Sequence, residues 1–226
     1  MPAARSIKGT STRTYLNGTT LFGQISERMH VMSVRKNERI FSQGDPAAAI
    51  YFIQTGRVKI SVLSYTGKEG VLGILGPDDF FGEECLVGQS LRISSATALE
   101  PLSVFPVQKR AMLRALHAQP GLAQRFTTSL LKRTIDLEED LCDQLFNQCE
   151  KRLARVLLKL AHLREYQVIP DAAMPTLSHE TLAEMVGTTR ARITHFMNKF
   201  RKMGLIDYDG HLIVITERLI NVVLQD

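Results

Sequence analysis

The sequence predicts an α+β chain: an N-terminal antiparallel β jelly roll, a long helix, and a C-terminal winged helix-turn-helix. Three observations predict it. Short apolar runs between Glu38 and Val107 are broken by turns at Gly44, Gly56, Gly67 and Gly76, spaced 12, 11 and 9 residues apart, the rhythm of short strands in a sandwich or barrel. Leu130, Thr134, Leu137, Leu141 and Leu145 step by 4, 3, 4 and 4, close to a heptad seam. Two helical patterns meet at Gly187-Thr188-Thr189, the short Gly-containing connection of a helix-turn-helix.

Composition bounds the rest. A chain of 226 residues, 44% of them apolar, can hold one large domain or two ordinary ones with real cores. No run reaches the roughly 18 to 20 apolar residues of a membrane span, and the N-terminus has no signal-peptide core, so a cytoplasmic protein without a membrane partner is expected. Cys85, Cys142 and Cys149 are odd in number and form no CxxC pair, which suits a reducing compartment. Cys85, beside Glu83 and Glu84, reads as structural; Cys142 and Cys149 near the seam are the better redox candidates. The net charge of +5 is unevenly spread. Residues 1–40 carry seven Lys/Arg against two Glu, whereas Asp136, Glu138, Glu139, Asp140 and Asp143 form an acidic patch. Local sign therefore says more than the total about an anionic partner.

In chain order, residues 1–20 are polar and rich in Ser, Thr and Gly, and are expected to form a flexible arm. Residues 21–118 form the β domain, with strands over 50–53, 58–63, 71–75, 95–98 and 103–107. Phe80-Phe81-Gly82-Glu83-Glu84-Cys85-Leu86-Val87 interrupts the strand rhythm. Gly82 permits close backbone approach, and a short helical turn after it would aim N–H groups at an anion. Arg92 could return a positive charge to the same place, and Glu83 could accept from a sugar hydroxyl. This makes a phosphate–sugar pocket; a plain loop with a structural Glu–Arg pair fits the same residues.

A short helix is expected over 109–117. The long helix, assigned with its flanks to 119–147, has more apolar stripe than the β domain alone can cover. It reads as a parallel dimerisation helix through Leu130, Thr134, Leu137, Leu141 and Leu145; packing on its own β domain alone is the rival. The break at 146–149 opens the last domain, 148–226. There a helix runs through Leu153, Val156, Leu157, Leu160 and Leu163, followed by a loop or short strand over 164–175.

Ser178 is placed to cap the next helix, with Leu182, Met185 and Val186 at helical spacing. Small Ala183 lets the second helix approach, and Ile193 plugs the angle between the two. The second helix then buries Phe196, Met197 and Phe200 and turns Thr189, Arg190, Arg192, Thr194, His195, Asn198 and Lys199 outward. Five Lys/Arg and no Asp or Glu lie between Thr188 and Lys202. A cationic helix with hydrogen-bonding side chains at its start suits a DNA major groove, against an αα-hairpin with a solvated basic face. A hairpin turn at 207–211, a strand over 212–215 and a helix over 216–225 burying Leu219, Ile220, Val223 and Leu224 complete the wing and the tail.

That order of parts, with Gly56-Arg57-Val58-Lys59, Gly82-Glu83, Thr97-Ala98-Leu99-Glu100-Pro101 and the stretch 182–205, resembles the cyclic-AMP receptor protein / fumarate–nitrate regulator (Crp/Fnr) family of bacterial transcription factors. The resemblance covers roughly residues 21–223. It implies a cyclic-nucleotide-binding-like sensor in which Gly82 and Glu83 match the phosphate cassette, Glu83 holding the ribose, and Arg92 matches the phosphate-binding Arg. The Ser that usually follows that Arg is Ile93 here. The adenine-reading Thr-Ser pair falls on Leu137 and Glu138, so the groups that recognise cyclic AMP are mostly absent.

With no Cys before Cys85, no iron–sulfur cluster is expected, and without a His between His30 and His117 neither is a haem or metal site on the sensor. On the second helix Arg190 matches the Arg that contacts guanine. The Glu that commonly follows is Ala191, and the downstream Arg is His195, so the half-site should differ. Thr189, Arg192 and His195 are candidates for a second base or a phosphate, and Lys199 for a phosphate. The implied partners are double-stranded DNA, a second copy of the chain and RNA polymerase. Three readings stay open: a regulator with a small effector, an effector-independent regulator, and a cyclic-nucleotide-binding interaction module without DNA. An enzyme is not expected, since the chain shows no nucleophile–base pair, metal spacing or P-loop.

Overall fold

The computed structural model describes residues 30–165, 177–209, 211–214 and 216–224. The arm expected over 1–20 lies outside them, as does most of the loop or short strand expected over 164–175; residues 164 and 165 of that stretch belong to the preceding helix, which keeps its period that far.

The N-terminal half is a jelly roll of eight short strands among the described residues: β1 (Met32–Val34), β2 (Arg39–Phe41), β3 (Ala49–Thr55), β4 (Val58–Leu63), β5 (Glu69–Leu75), β6 (Phe80–Phe81), β7 (Ser95–Ala98) and β8 (Leu102–Gln108). They form two four-stranded antiparallel sheets, ordered β1-β8-β3-β6 and β2-β7-β4-β5. Strand side chains alternate between faces, and the first sheet uses both. Tyr51, Ile53, Phe81 and Val104 meet the second sheet. Ile50, Phe52, Phe80, Phe105 and Val107 meet the helices behind. The expected run 50–53 is apolar throughout because it belongs to a middle layer.

Those helices are α1 (Lys109–Ala118) and α2 (Pro120–Phe146). Pro at the first helical position of α2 leaves no backbone donor unsatisfied there. Met112, Leu122 and Phe126 are buried in the sensor core, and the Phe126 ring meets Phe80 nearly edge-on at 5.2 Å. The seam expected along α2 starts one residue early. Leu130 turns inward and packs on the sensor core, because it follows Leu122 and Phe126 at four-residue steps. Leu131, Ile135, Leu137, Leu141, Leu145 and Phe146 are the exposed apolar side chains. Thr134 lies exposed among them and donates its hydroxyl to the Leu130 carbonyl.

After Asn147 and Gln148 the chain enters α3 (Cys149–Glu165), then α4 (His179–Val186), α5 (Arg190–Lys202), the antiparallel pair β9 (Ile206–Asp209) and β10 (His211–Val214), and α6 (Thr216–Leu224). Leu153, Leu157, Leu182, Val186, Ile193, Met197, Phe200, Ile206 and Leu219 form one buried core, onto which Ile74 of β5 also packs. The hairpin is tighter than expected. Asp207 and Tyr208 are paired in β9 rather than lying in a turn, with His211 opposite Asp209, because β-branched Ile206 starts the strand directly after the helix-ending Gly204-Leu205. Ile220 is exposed, not buried as its spacing suggests, because Leu219 is the side chain turned into the core and Val222 and Val223 pack half-buried beside it; the burial expected for Leu224 lies outside the described side chains.

Candidate nucleic-acid interface and sensor cassette

The helix-turn-helix is built by caps. Ser178 Oγ accepts the Thr181 backbone N–H at 3.0 Å and starts α4, satisfying a donor with no partner inside the helix. The helix ends at Gly187, whose φ of +71° is left-handed, a conformation that side-chain-bearing residues rarely adopt. The Gly187 and Thr188 N–H groups both donate to the Ala183 carbonyl, at 2.9 and 3.0 Å, which closes the turn. Thr189 then caps α5, its hydroxyl accepting the Arg192 N–H at 3.4 Å. Ile193, Met197 and Phe200 are buried on the inner face.

Thr189, Arg190, Arg192, His195 and Lys199 are all exposed, on the outer face of α5 or at its start. They do not stand alike. Thr189 is committed to its cap. His195 sets its ring edge-on to Phe196 at 5.6 Å. Lys199 is paired with Glu150 of α3 at 2.7 Å. Arg190 and Arg192 have no carboxylate partner among the described residues, so their guanidinium groups remain available to an anion. A helix–helix tie the sequence did not reveal lies behind them: His179 Nδ1 is 2.9 Å from Thr194 Oγ1.

The sensor cassette assembles, but on itself. Gly82 has φ of +77°, and a Cβ there would sit 2.6 Å from Arg92 Nη1, so only glycine lets the guanidinium in. Arg92 is only 3% exposed. It donates to the Gly82 carbonyl (2.9 Å), to Glu84 (2.9 Å) and to the Ala49 carbonyl (2.6 Å). Its guanidinium carbon lies 4.1 Å from the Phe41 ring centroid, a cation–π contact. Glu83 does not face Arg92. It pairs with Arg133 of α2 at 2.5 Å, and Arg133 also donates to the Phe80 carbonyl. Leu137 and Glu138 lie exposed on α2 beyond Arg133, and no hydrogen bond joins Glu138 to the cassette among the described residues. Of the three cassette positions singled out in the sequence, Gly82 and Arg92 meet while Glu83 turns away, and their partners here, Glu84 and Arg133, gave no signal in the sequence. Adjacent Glu83 and Glu84 diverge because they open the 3₁₀ helix Glu83–Val87, in which neighbouring side chains stand about a third of a turn apart.

Cys142 is exposed, and Cys85 and Cys149 differ in their surroundings. Burial in the sensor core pushes the Cys85 thiol up. Burial would raise Cys149 too. Hydrogen bonds from Arg152 and Thr188, with the charges of Arg152 and Arg192, outweigh it and hold the Cys149 thiol below its usual range. Among the described residues, no group of three or more His, Cys, Asp and Glu could hold a metal ion, and no helix is long and apolar enough to cross a membrane.

Comparison with known proteins accounts for both halves. The profile of the cyclic nucleotide-binding domain matches residues 31–119, and that of the Crp-like helix-turn-helix domain matches residues 151–219. The global nitrogen regulator of Synechococcus elongatus is 30% identical over 195 residues, spanning 83% of this chain and 87% of that one. The cyclic AMP receptor protein of Thermus thermophilus is 30% identical over 169 residues, 74% of each chain. The fold of FixK2 from Bradyrhizobium japonicum superposes with a TM-score of 0.74 at 21% identity, over 85% of this chain and 96% of that one. By its two domains and these relatives, the chain belongs to the Crp/Fnr family, which is one of transcription regulators and not of enzymes.

Proposed function

We propose that this regulator works as a cytoplasmic homodimer that binds a pseudo-palindromic DNA site. The observation that carries the reading is the outer face of α5, where exposed Arg190 and Arg192 have no carboxylate partner among the described residues while the opposite face is buried. Arg190 contacts guanine O6 and N7 through its fork of donors. Arg192 and His195 reach a second base or a phosphate, and Thr189 and Lys199 hold the backbone, Lys199 exchanging Glu150 for a phosphate. Two such helices enter successive major grooves when two chains pair along Leu131, Thr134, Ile135, Leu137, Leu141 and Leu145 of α2. A lone chain leaves that stripe in water, Leu141 at 58% and Leu145 at 66% exposure, and pairing removes it. RNA polymerase is the partner through which bound DNA becomes a transcriptional effect.

The sensor acts without a cyclic nucleotide. A phosphate would have to take Arg92 from Glu84 and two carbonyls inside the core, and a ribose would have to take Glu83 from Arg133. The Arg133–Glu83 pair already ties the cassette to the long helix, the place a bridging ligand would occupy. The relative from Thermus thermophilus is named for cyclic AMP; the groups at Ile93, Leu137 and Glu138 depart from that chemistry. The test is fluorescence anisotropy of purified protein on its selected duplex, with Arg190→Ala as the control. Affinity should fall about tenfold or more for the variant, since one bidentate base contact is worth roughly 1–3 kcal/mol. Equal affinity would move the basic helix to a protein partner.

A further inference from the structure

The two helices of the head are joined by a polar bridge that ends on Arg190. Thr194 Oγ1 donates to the Arg190 carbonyl at 3.0 Å. A threonine hydroxyl has one proton. With that proton committed, Thr194 can only accept at its second contact, so His179 Nδ1 must be the donor in the 2.9 Å contact between them. The ring is therefore held with its proton on Nδ1, whatever the state of Nε2. His179 is the first residue of α4 and Arg190 the first of α5. The bridge thus runs from the start of one helix, across the gap, to the backbone that carries the base-reading side chain. Both His179 and Thr194 are half-buried, so the contact between them is partly shielded from competing water, while the bond to the Arg190 carbonyl is exposed. Apolar packing sets the separation of the helices through Ile193 and Ala183, but it does not set how the first turn of α5 is rotated. A directional hydrogen bond does.

We propose that His179 is a positioning residue for base recognition, holding the first turn of α5 through Thr194 so that the Arg190 fork meets a base edge in register. The proposal rests on the DNA-binding reading above. A bidentate contact tolerates little misplacement, whereas a phosphate contact by a long cation tolerates much. Loss of the bridge therefore erodes discrimination before it erodes binding. Asn keeps a donor near the position of Nδ1, whereas Ala removes it.

The experiment compares wild type, His179→Ala and His179→Asn on the duplex selected by wild type and on duplexes substituted at each position. The pair read by Arg190 is identified as the one at which Arg190→Ala loses preference. His179→Ala should lower discrimination at that pair by about fivefold or more, with affinity for non-specific DNA and its salt slope unchanged, and His179→Asn should restore discrimination to within about twofold of wild type. Discrimination retained by His179→Ala would overturn the proposal. So would a parallel loss of specific and non-specific binding, or an Asn variant as poor as Ala, since either marks a merely structural histidine. If wild type itself showed no sequence preference, the DNA-binding reading would fall instead, so the two failures are separable.

Discussion

Lys59 of the sensor reaches Glu184 of the first helix of the helix-turn-helix at 3.2 Å, while also holding Glu69 of its own sheet at 2.9 Å. One half-buried ammonium thus joins the two halves of the chain through two carboxylates, beside the apolar contact of Ile74 with the head core. Gln144 of α2 adds a weaker tie, donating to the Val186 carbonyl at 3.4 Å.

Removing the ammonium leaves two carboxylates facing each other with little water. Lys59→Ala is expected to cost about 1–2 kcal/mol, below the range for a fully buried pair because all three groups keep some exposure. Hydrogen exchange across residues 181–186 should speed up in the variant. Unchanged exchange there would mean that apolar packing alone holds the head.

The same cluster sets a pH window. Burial alone would lower the Lys59 value, but the hydrogen bonds and charges of Glu69 and Glu184 outweigh it and raise it. Burial would raise Glu69, but hydrogen bonds from Ser61 and Lys59, with the charges of Lys59 and Arg39, lower it. A raised lysine contributes stability that is complete below its unfolded value and fades as pH climbs through the folded one. A lowered glutamate contributes stability that is complete above its unfolded value and fades as pH falls through the folded one. The attachment should therefore hold between about pH 4.3 and pH 10.4 and loosen outside that window, which exchange at residues 181–186 measured across pH would show.

Arg92 is the most consequential buried charge in the sensor. Arg92→Ala strands the Ala49 and Gly82 carbonyls and leaves Glu84 unpaired, and should cost about 3–5 kcal/mol. Because wild type already fills the cassette, cyclic AMP and cyclic GMP should leave its Tm unchanged in a thermal-shift assay. An upward shift with either nucleotide would show that the internal partners give way.

Cys149 should react with iodoacetamide before Cys85. Its thiolate is favoured by Arg152 and Thr188, while Cys85 is fully buried and its thiol raised, and thiolate is the reactive form. Peptide mass spectrometry at successive times measures the order; a faster Cys85 would contradict the described packing.

Much of this molecule was legible in its residues, for physical reasons. Short apolar runs between glycine turns mark strands, and a cap at Ser178 with a break at Gly187 marks two short helices, because local geometry decides both. The cassette was legible as Gly82, Glu83 and Arg92 but not as a network. Arg133 lies 50 residues from Glu83, and no spacing rule pairs a helix surface with a distant turn. The inward turn of Leu130 escaped the sequence for a related reason. A repeat of 4 and 3 fixes that a stripe exists, whereas which side of it meets the sensor depends on Phe80 and Phe126 coming together in space. Lys59 and Glu184, and His179 and Thr194, are likewise polar pairs whose sequence shows only two ordinary surface residues.

The most direct measurement is selection of duplex DNA from a random pool by purified protein with no small molecule added. The expected result is strong enrichment of a pseudo-palindrome with half-sites about 10 base pairs apart, bound by two chains, and lost by Leu141→Glu, which places a charge in the exposed stripe of the long helix. No enrichment, or a single asymmetric site bound by one chain, would contradict a paired, ligand-free reader of DNA.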